Sequence, residues 1–269
     1  MGDHVLLSAS LTNAPECVAL AEEYGLGIEV MAFAYPHILD GDWPETVKTY
    51  KELLRNVPGE ITLHGPFMDM VSGSPDPRIN AVCTARYSHA IRIASELGAK
   101  QVVFHANFIG SLHNTFYREG WHKRNVDFWH PIAEYADEHG VMILLENMWE
   151  FDPTIIVDLL SEVNHPSLKA CLDVGHAHLF SDRKYPFDYW LHTIEPWLVE
   201  IHMNNNNGIL DEHHGFAWEQ GVLDYHKLIP HLRALNPDAD MVLEMDSVED
   251  MRTSLQYLRL AHDQQPETP

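Results

Sequence analysis

The chain is short of positive charge. Across 269 residues, 17 Lys and Arg stand against 40 Asp and Glu, a formal net charge of −23 with neutral histidines. An excess of that sign repels a polyanion at long range and leaves no basic footprint, so nucleic acid is a disfavoured partner. Cysteine is scarce as well. Cys17, Cys83 and Cys171 are widely spaced, odd in number and form no Cys-x-x-Cys pair, which argues against a disulfide framework and against a thiolate zinc site. No apolar run approaches the roughly 18 residues that cross a bilayer. Met1 to Leu11 lacks a basic stretch, carries Asp3 and reads as a first strand, not a signal peptide, so a cytoplasmic location is expected. No Gly-rich phosphate loop follows that strand, which disfavours an open dinucleotide-binding sheet.

Apolar residues make up 45% of the chain, enough for one large core. Short β-branched or apolar runs alternate with longer helix-period stretches. Strands are expected at His4–Ala9, Gly27–Met31, Ile61–His64, Gln101–His105, Val141–Glu146, Lys169–Asp173, Val199–His202 and Met241–Glu244. From the third onward they are near-continuously hydrophobic, as strands buried on both faces are. Helices are expected from an Asn13 cap to Gly25 and over Glu45–Val57, Ile79–Leu97, Asn125–His139, Pro153–Val163, Phe187–Glu195, Asp224–Leu235 and Glu249–His262. Eight βα units in strict alternation predict a (β/α)8 barrel in a single domain over 1–263, with a polar tail, Gln264–Pro269.

Histidine is abundant, at 19 residues, and its placement carries the functional signal. Six consecutive strands end in a potential metal ligand: His64, His105, Glu146, Asp173, His202 and Glu244. A polar strand end is usually a loop start or helix cap, but a barrel gathers all such ends at one mouth. Two loop motifs add His176, in Asp173-Val174-Gly175-His176, and the pair Asp211 and His213, in Asp211-Glu212-His213-His214. A slip of one residue, to Glu212 or His214, fits that last spacing too. His89, His139, His165, His192, His226, His231 and His262 fall within helices or at their ends and read as structural or solvated; His178 lies beside a proposed ligand.

These residues resemble the xylose isomerase-like barrel superfamily, and most closely its endonuclease IV branch. The resemblance runs from His64 to Glu244, on His64-Gly65-Pro66-Phe67, Phe104-His105, Leu145-Glu146-Asn147, Asp173-Val174-Gly175-His176, His202-Met203-Asn204, Asp211-Glu212-His213 and Leu243-Glu244. It implies three zinc ions, with Mn²⁺ or Fe²⁺ as substitutes. His64, His105 and Glu146 would hold the first. Glu146 would bridge to a second on Asp173, His202 and Glu244, and His176, Asp211 and His213 would take the third. The activity implied is a phosphodiesterase-like hydrolase working through metal-activated hydroxide. The alternative is a sugar isomerase or epimerase whose single ion sits on Glu146, Asp173, His202 and Glu244, with Glu146 and Glu244 as acid and base. DNA-repair relatives grip the backbone with basic loops, whereas Ala32–Trp43 has no Lys or Arg. A small phosphoester or sugar-like substrate is therefore expected ahead of DNA, with Phe67-Met68 as a pocket wall. Lys123-Arg124 and Arg183-Lys184 are candidate phosphate anchors or simply solvated. Trp149, Phe151, Tyr185 and Trp218 are candidate rim residues or loop packing. Asn204–Asn207 are candidates for hydrogen bonds to substrate or, more plainly, an Asn-rich turn, and Asn147 reads as a support for Glu146 or its metal-bound partners.

Overall fold

The computed structural model describes residues 4–263. Eight parallel strands close in sequential order into a barrel: β1 Val5–Ala9, β2 Gly27–Val30, β3 Ile61–His64, β4 Gln101–His105, β5 Met142–Glu146, β6 Leu168–Asp173, β7 Leu198–Met203 and β8 Asp240–Leu243. β1 pairs with β8, Val5 opposite Met241, so the described barrel leaves no sheet edge. The expected fold class is the one observed, and strand limits differ by at most one residue at each end. The tail expected at Gln264–Pro269 lies outside the described residues.

The helices form the outer layer: α1 Ala14–Tyr24, α2 Pro36–Leu39, α3 Trp43–Leu53, α4 Pro77–Leu97, α5 Thr115–Glu138, α6 Thr154–Val163, α7 Val174–Phe180, α8 Phe187–Ile194, α9 Tyr225–Leu235 and α10 Val248–Asp263. α4 stops at Gly98, whose φ of 82° lets its N–H return to the Ala94 carbonyl. Three expectations need correcting. Asn13 starts α1 without capping it, because its Oδ1 accepts from Ser10 N at 2.8 Å. α5 begins ten residues before the expected Asn125. α2 and α7 occupy segments expected to be loop.

Between barrel wall and helices lies the main core, where Tyr87 stacks on Trp129 at 5.2 Å and on Phe104 at 4.3 Å. The barrel lumen is of two kinds. Val103, Leu144 and Cys171 fill part of it with apolar side chains. Elsewhere Glu29 of β2 and Glu200 of β7 meet at one imidazole, His202. β2 and β7 are not neighbours in the sheet, so these carboxylates can approach each other only across the interior. Among the described residues, no helix is long and apolar enough to cross a membrane.

Candidate metal centre

Strands β3 to β8 deliver their ends to one mouth. His64, His105, Glu146 and Asp173 close β3 to β6, His202 is the penultimate residue of β7, and Glu244 follows β8. Asp173 also caps α7: its Oδ1 accepts from His176 N at 2.5 Å, which places that imidazole in the first turn of the helix. Asp211 and His213 arrive on the β7–α9 loop. There Asn205 and His214 exchange two backbone hydrogen bonds, of 2.8 and 2.9 Å, which anchor the loop beside β7. His214 stacks on Trp218 with centroids 3.8 Å apart, and His213 rather than His214 lines the cavity.

All nine sequence-predicted residues converge, and they do so in groups. Candidate ligand atoms of His64, His105 and Glu146 lie within 4.8 Å of one another, as do those of Glu146, Asp173, His202 and Glu244, and those of His176, Asp211 and His213. Glu146 belongs to two groups. Its Oε2 is 3.2 Å from His64 Nε2 and 3.2 Å from His105 Nε2, while Oε1 is 3.1 Å from His176 Nδ1.

Backbone carbonyls set the directions of two of the rings, and amide side chains steady Asp173. His64 Nδ1 lies 2.9 Å from the Gly65 carbonyl, and His176 Nδ1 2.9 Å from the Asn147 carbonyl, so each presents Nε2 to the mouth. His176 Nδ1 has one proton at most, and the carbonyl at 2.9 Å holds it better than Glu146 Oε1 does. Asn147 clasps the end of β6, giving its amide to the Asp173 carbonyl and accepting from Asp173 N, both at 2.9 Å. Asn204 Nδ2 donates to Asp173 Oδ2 at 2.9 Å.

The donor set suits divalent cations. His202 Nδ1 and Glu244 Oε2 are 3.1 Å apart, yet both are buried with no hydrogen-bond partner, as is Glu146 Oε1. Buried polar atoms left this way are costly unless something not drawn from the chain satisfies them. Two donors aimed at a common third atom have this geometry. Imidazole and carboxylate without thiolate suits Zn²⁺, Mn²⁺ or Fe²⁺.

Electrostatics points the same way. Burial opposes charge on His64, but the Glu146 hydrogen bond and the surrounding carboxylates carry it up to about 9. Burial likewise opposes charge on His213, and Glu244 and Asp211 lift it to about 9. His176 and His202 also overcome burial and rise well above the ordinary imidazole range beside Asp173, Glu29, Glu244 and Glu146. His105 goes the other way, pushed down by burial. Histidine charge holds Glu146, Glu244 and Asp211 below the usual carboxylate range against burial, whereas burial pushes Asp173 up to about 6. Without ions, protons on imidazoles balance the acids.

The mouth opens into a cavity of about 670 Å³ walled by Phe67, Met68, Met148 and Trp149. The family model described as xylose isomerase-like TIM barrel matches residues 15–261. The chain belongs to this family. Among solved structures, the TTHB071 protein of Thermus thermophilus, soaked with ZnCl₂, shares 27% identity at a TM-score of 0.81, over 98% of this chain and 100% of that one. A D-tagatose 3-epimerase-like protein is 22% identical, with a TM-score of 0.78 over 96% and 98% of the two chains. D-psicose 3-epimerase of Clostridium cellulolyticum, solved with D-tagatose, is 15% identical, with a TM-score of 0.73 over 96% and 98%. No curated protein matches the chain.

Other expected site residues fall elsewhere in this xylose isomerase-like barrel. Among the described residues no Lys or Arg lines the cavity. Lys123 and Arg124 lie inside α5, where Arg124 Nε donates to the Gly73 carbonyl at 2.6 Å, and Lys184 lies over the Tyr185 ring at 4.6 Å. Phe151 packs on His113 and Phe108, Tyr185 donates to Asp152 at 2.9 Å, and neither they nor Trp218 reach the cavity. Asn204, Asn205 and Asn206 are buried and tie the loop to its neighbours. Sequence reasoning passed over the first two βα loops, whose Thr12, Asn13, Met31 and Tyr35 line the cavity. The only signal for them was their position at strand ends.

Proposed function

We propose that this protein is a metal-dependent hydrolase of small phosphoesters, related to the endonuclease IV branch and built on a centre for about three divalent ions, zinc foremost. One observation carries the reading. Five side chains beyond the four that a single ion needs come to the same mouth, and they complete two further ligand groups, one of them sharing Glu146. Bound ions supply Lewis acidity and a water of low pKa there. The chain contributes placement: Glu146 spans two groups, Asn147 and Asn204 hold Asp173, and the walls of Phe67 and Trp149 exclude water from one side. Among the described residues no Lys or Arg lines the cavity, so the positive charge that attracts an anionic substrate has to come from bound ions, and three divalent ions supply more of it than one.

A second reading has its own support. The group Glu146, Asp173, His202 and Glu244 alone would suffice for one ion, and Glu146 and Glu244 would then serve as acid and base at a ketose carbon. The epimerase names among the solved structures fit this better than they fit hydrolysis, although at 22% identity or less those likenesses speak for the fold. Elemental analysis of the purified protein, with assays of aryl phosphodiester hydrolysis and of solvent proton exchange into ketoses, separates the two. Replacing His176 or His213 by alanine is expected to lower hydrolysis on the order of 100-fold. One ion per chain, proton exchange into a ketose and indifference to those replacements would establish the epimerase instead.

A further inference from the structure

His202 is mounted the opposite way from its neighbours. Where His64 and His176 rest Nδ1 on backbone carbonyls, His202 turns Nδ1 to the mouth and Nε2 into the barrel. There it meets two carboxylates: Nε2 is 3.2 Å from Glu200 Oε1 and 3.4 Å from Glu29 Oε2. Both acids are fully buried. Neither oxygen of Glu29 has a hydrogen-bond partner, nor does Glu200 Oε2. Among the described residues, no Lys or Arg forms an ion pair with either one.

Nothing in the packing explains this pair. A barrel lumen is ordinarily filled by branched apolar side chains, as Val103 and Leu144 fill the other part of this one. A buried carboxylate without a donor is expensive, and a nearby positive charge is what offsets it. Cys171, Glu200 and His202 themselves form a small candidate group on the inner side of the ring, and the larger group of Glu146, Asp173, His202 and Glu244 lies just across it. A carboxylate behind a histidine ligand also fixes the tautomer and raises the basicity of the nitrogen facing the ion.

We propose that Glu29 and Glu200 are positioning residues for the metal centre: they hold His202 as the Nε2–H tautomer and so commit Nδ1 to an ion, which tightens the binding of that ion. This rests on the metal content of the proposed function and on neither choice of reaction, since one ion on this group is common to both.

The test uses the full chain as Glu29→Gln and Glu200→Gln, stripped by chelation and reloaded with Zn²⁺ or Co²⁺. Competition with a chromophoric chelator gives the affinity of each ion. Each variant is expected to weaken one ion by about 10-fold or more, within the range typical for supports of a histidine ligand, and to shift the visible Co²⁺ spectrum. The melting temperature of the metal-free variants is expected to change little, because glutamine keeps the size of the side chain and replaces a carboxyl group with buried oxygens that lack a hydrogen-bond partner; a purely structural role predicts a fall with no change in affinity. Should Glu200→Gln not fold, Glu29→Gln carries the same test, as Glu29 pairs with His202 alone. Unchanged affinity, within about twofold, together with an unchanged Co²⁺ spectrum overturns the proposal. Absence of phosphodiesterase activity with altered affinity would instead discard the hydrolase reading and leave this one standing.

Discussion

Loading the centre with metal should expel protons, and the number can be worked from the site. In the metal-free protein His64 and His213 titrate at about 9, and His176 and His202 lie well above the ordinary range. His64 and His213 are therefore imidazolium at pH 7. Ligation needs neutral imidazole. Filling both of these positions at pH 7 is thus expected to release about two protons, and the raised His176 and His202 add to the count; the two fall to about one at pH 9, where His64 and His213 are each about half charged. For either histidine, displacing a proton held two pH units above neutrality costs about 2.7 kcal/mol, a factor of about 100 in apparent affinity that is recovered as pH rises from 7 to 9. The sign is opposite for the metal-free fold. There the raised histidine pKa stabilises below about 6.5, and that stability is lost as pH climbs through 9, by about 3 kcal/mol for His64. Calorimetric titration with Zn²⁺ in two buffers of different ionisation enthalpy counts the protons, and denaturation of the stripped protein at pH 6.5 and 9 measures the counterpart. A coordinated water that ionises only adds to the count. Fewer than about two protons at pH 7 would refute the charge balance deduced here.

Two further outcomes are expected. A Cβ at Gly175 would overlap the Asn204 side-chain oxygen, and Asn204 holds Asp173, so Gly175→Ala should weaken metal retention by about 10-fold or more while the barrel still folds; atomic absorption after dialysis measures it. Burial, only partly offset by the N–H groups of Met148 and Phe108, pushes Glu150 up to about 7. A raised carboxyl pKa means the native state binds its proton more tightly, so stability falls as pH rises from about 4.5 to 7, by about 3 kcal/mol. Urea midpoints for the metal-free wild type and Glu150→Gln should show that slope removed in the variant.

The barrel was legible because its strands are buried on both faces, so apolar runs such as Val102-Val103-Phe104 mark them with little help from turns. The convergence of six of the nine residues followed from strand ends alone, since closure puts those ends together; His176, Asp211 and His213 were legible only as loop motifs next to them. α7 was not legible. Asp173 is at once the last strand residue and the helix cap, leaving no turn between, and Gly175 imitates a loop. The start of α5 was hidden for another reason: Thr115–Gly120 has no apolar stripe, and Phe116 is 86% exposed. Glu29 and Glu200 left a signal that went unused. Each is a charge inside an otherwise apolar parallel strand, between Ile28 and Val30 and between Val199 and Ile201, where both faces are expected to be buried. Distances between cavity and anchors are set by loop paths, which is why Arg124 and Lys184 misled.

The mouth is divided around its circumference. Six adjoining strand ends, β3 to β8, bear the groups that gather at the centre, while the arc of β1 and β2 touches the cavity through Thr12, Asn13, Met31 and Tyr35 and supplies none of them. The ligand groups thus occupy one sector of the ring, whereas the cavity wall is shared between that sector, through Phe67, Met68, Met148 and Trp149, and the ligand-free arc. Side chains along the free arc could therefore be exchanged to reshape that part of the wall without touching any of the gathered ligand groups, an arrangement that leaves one scaffold room to vary its clientele.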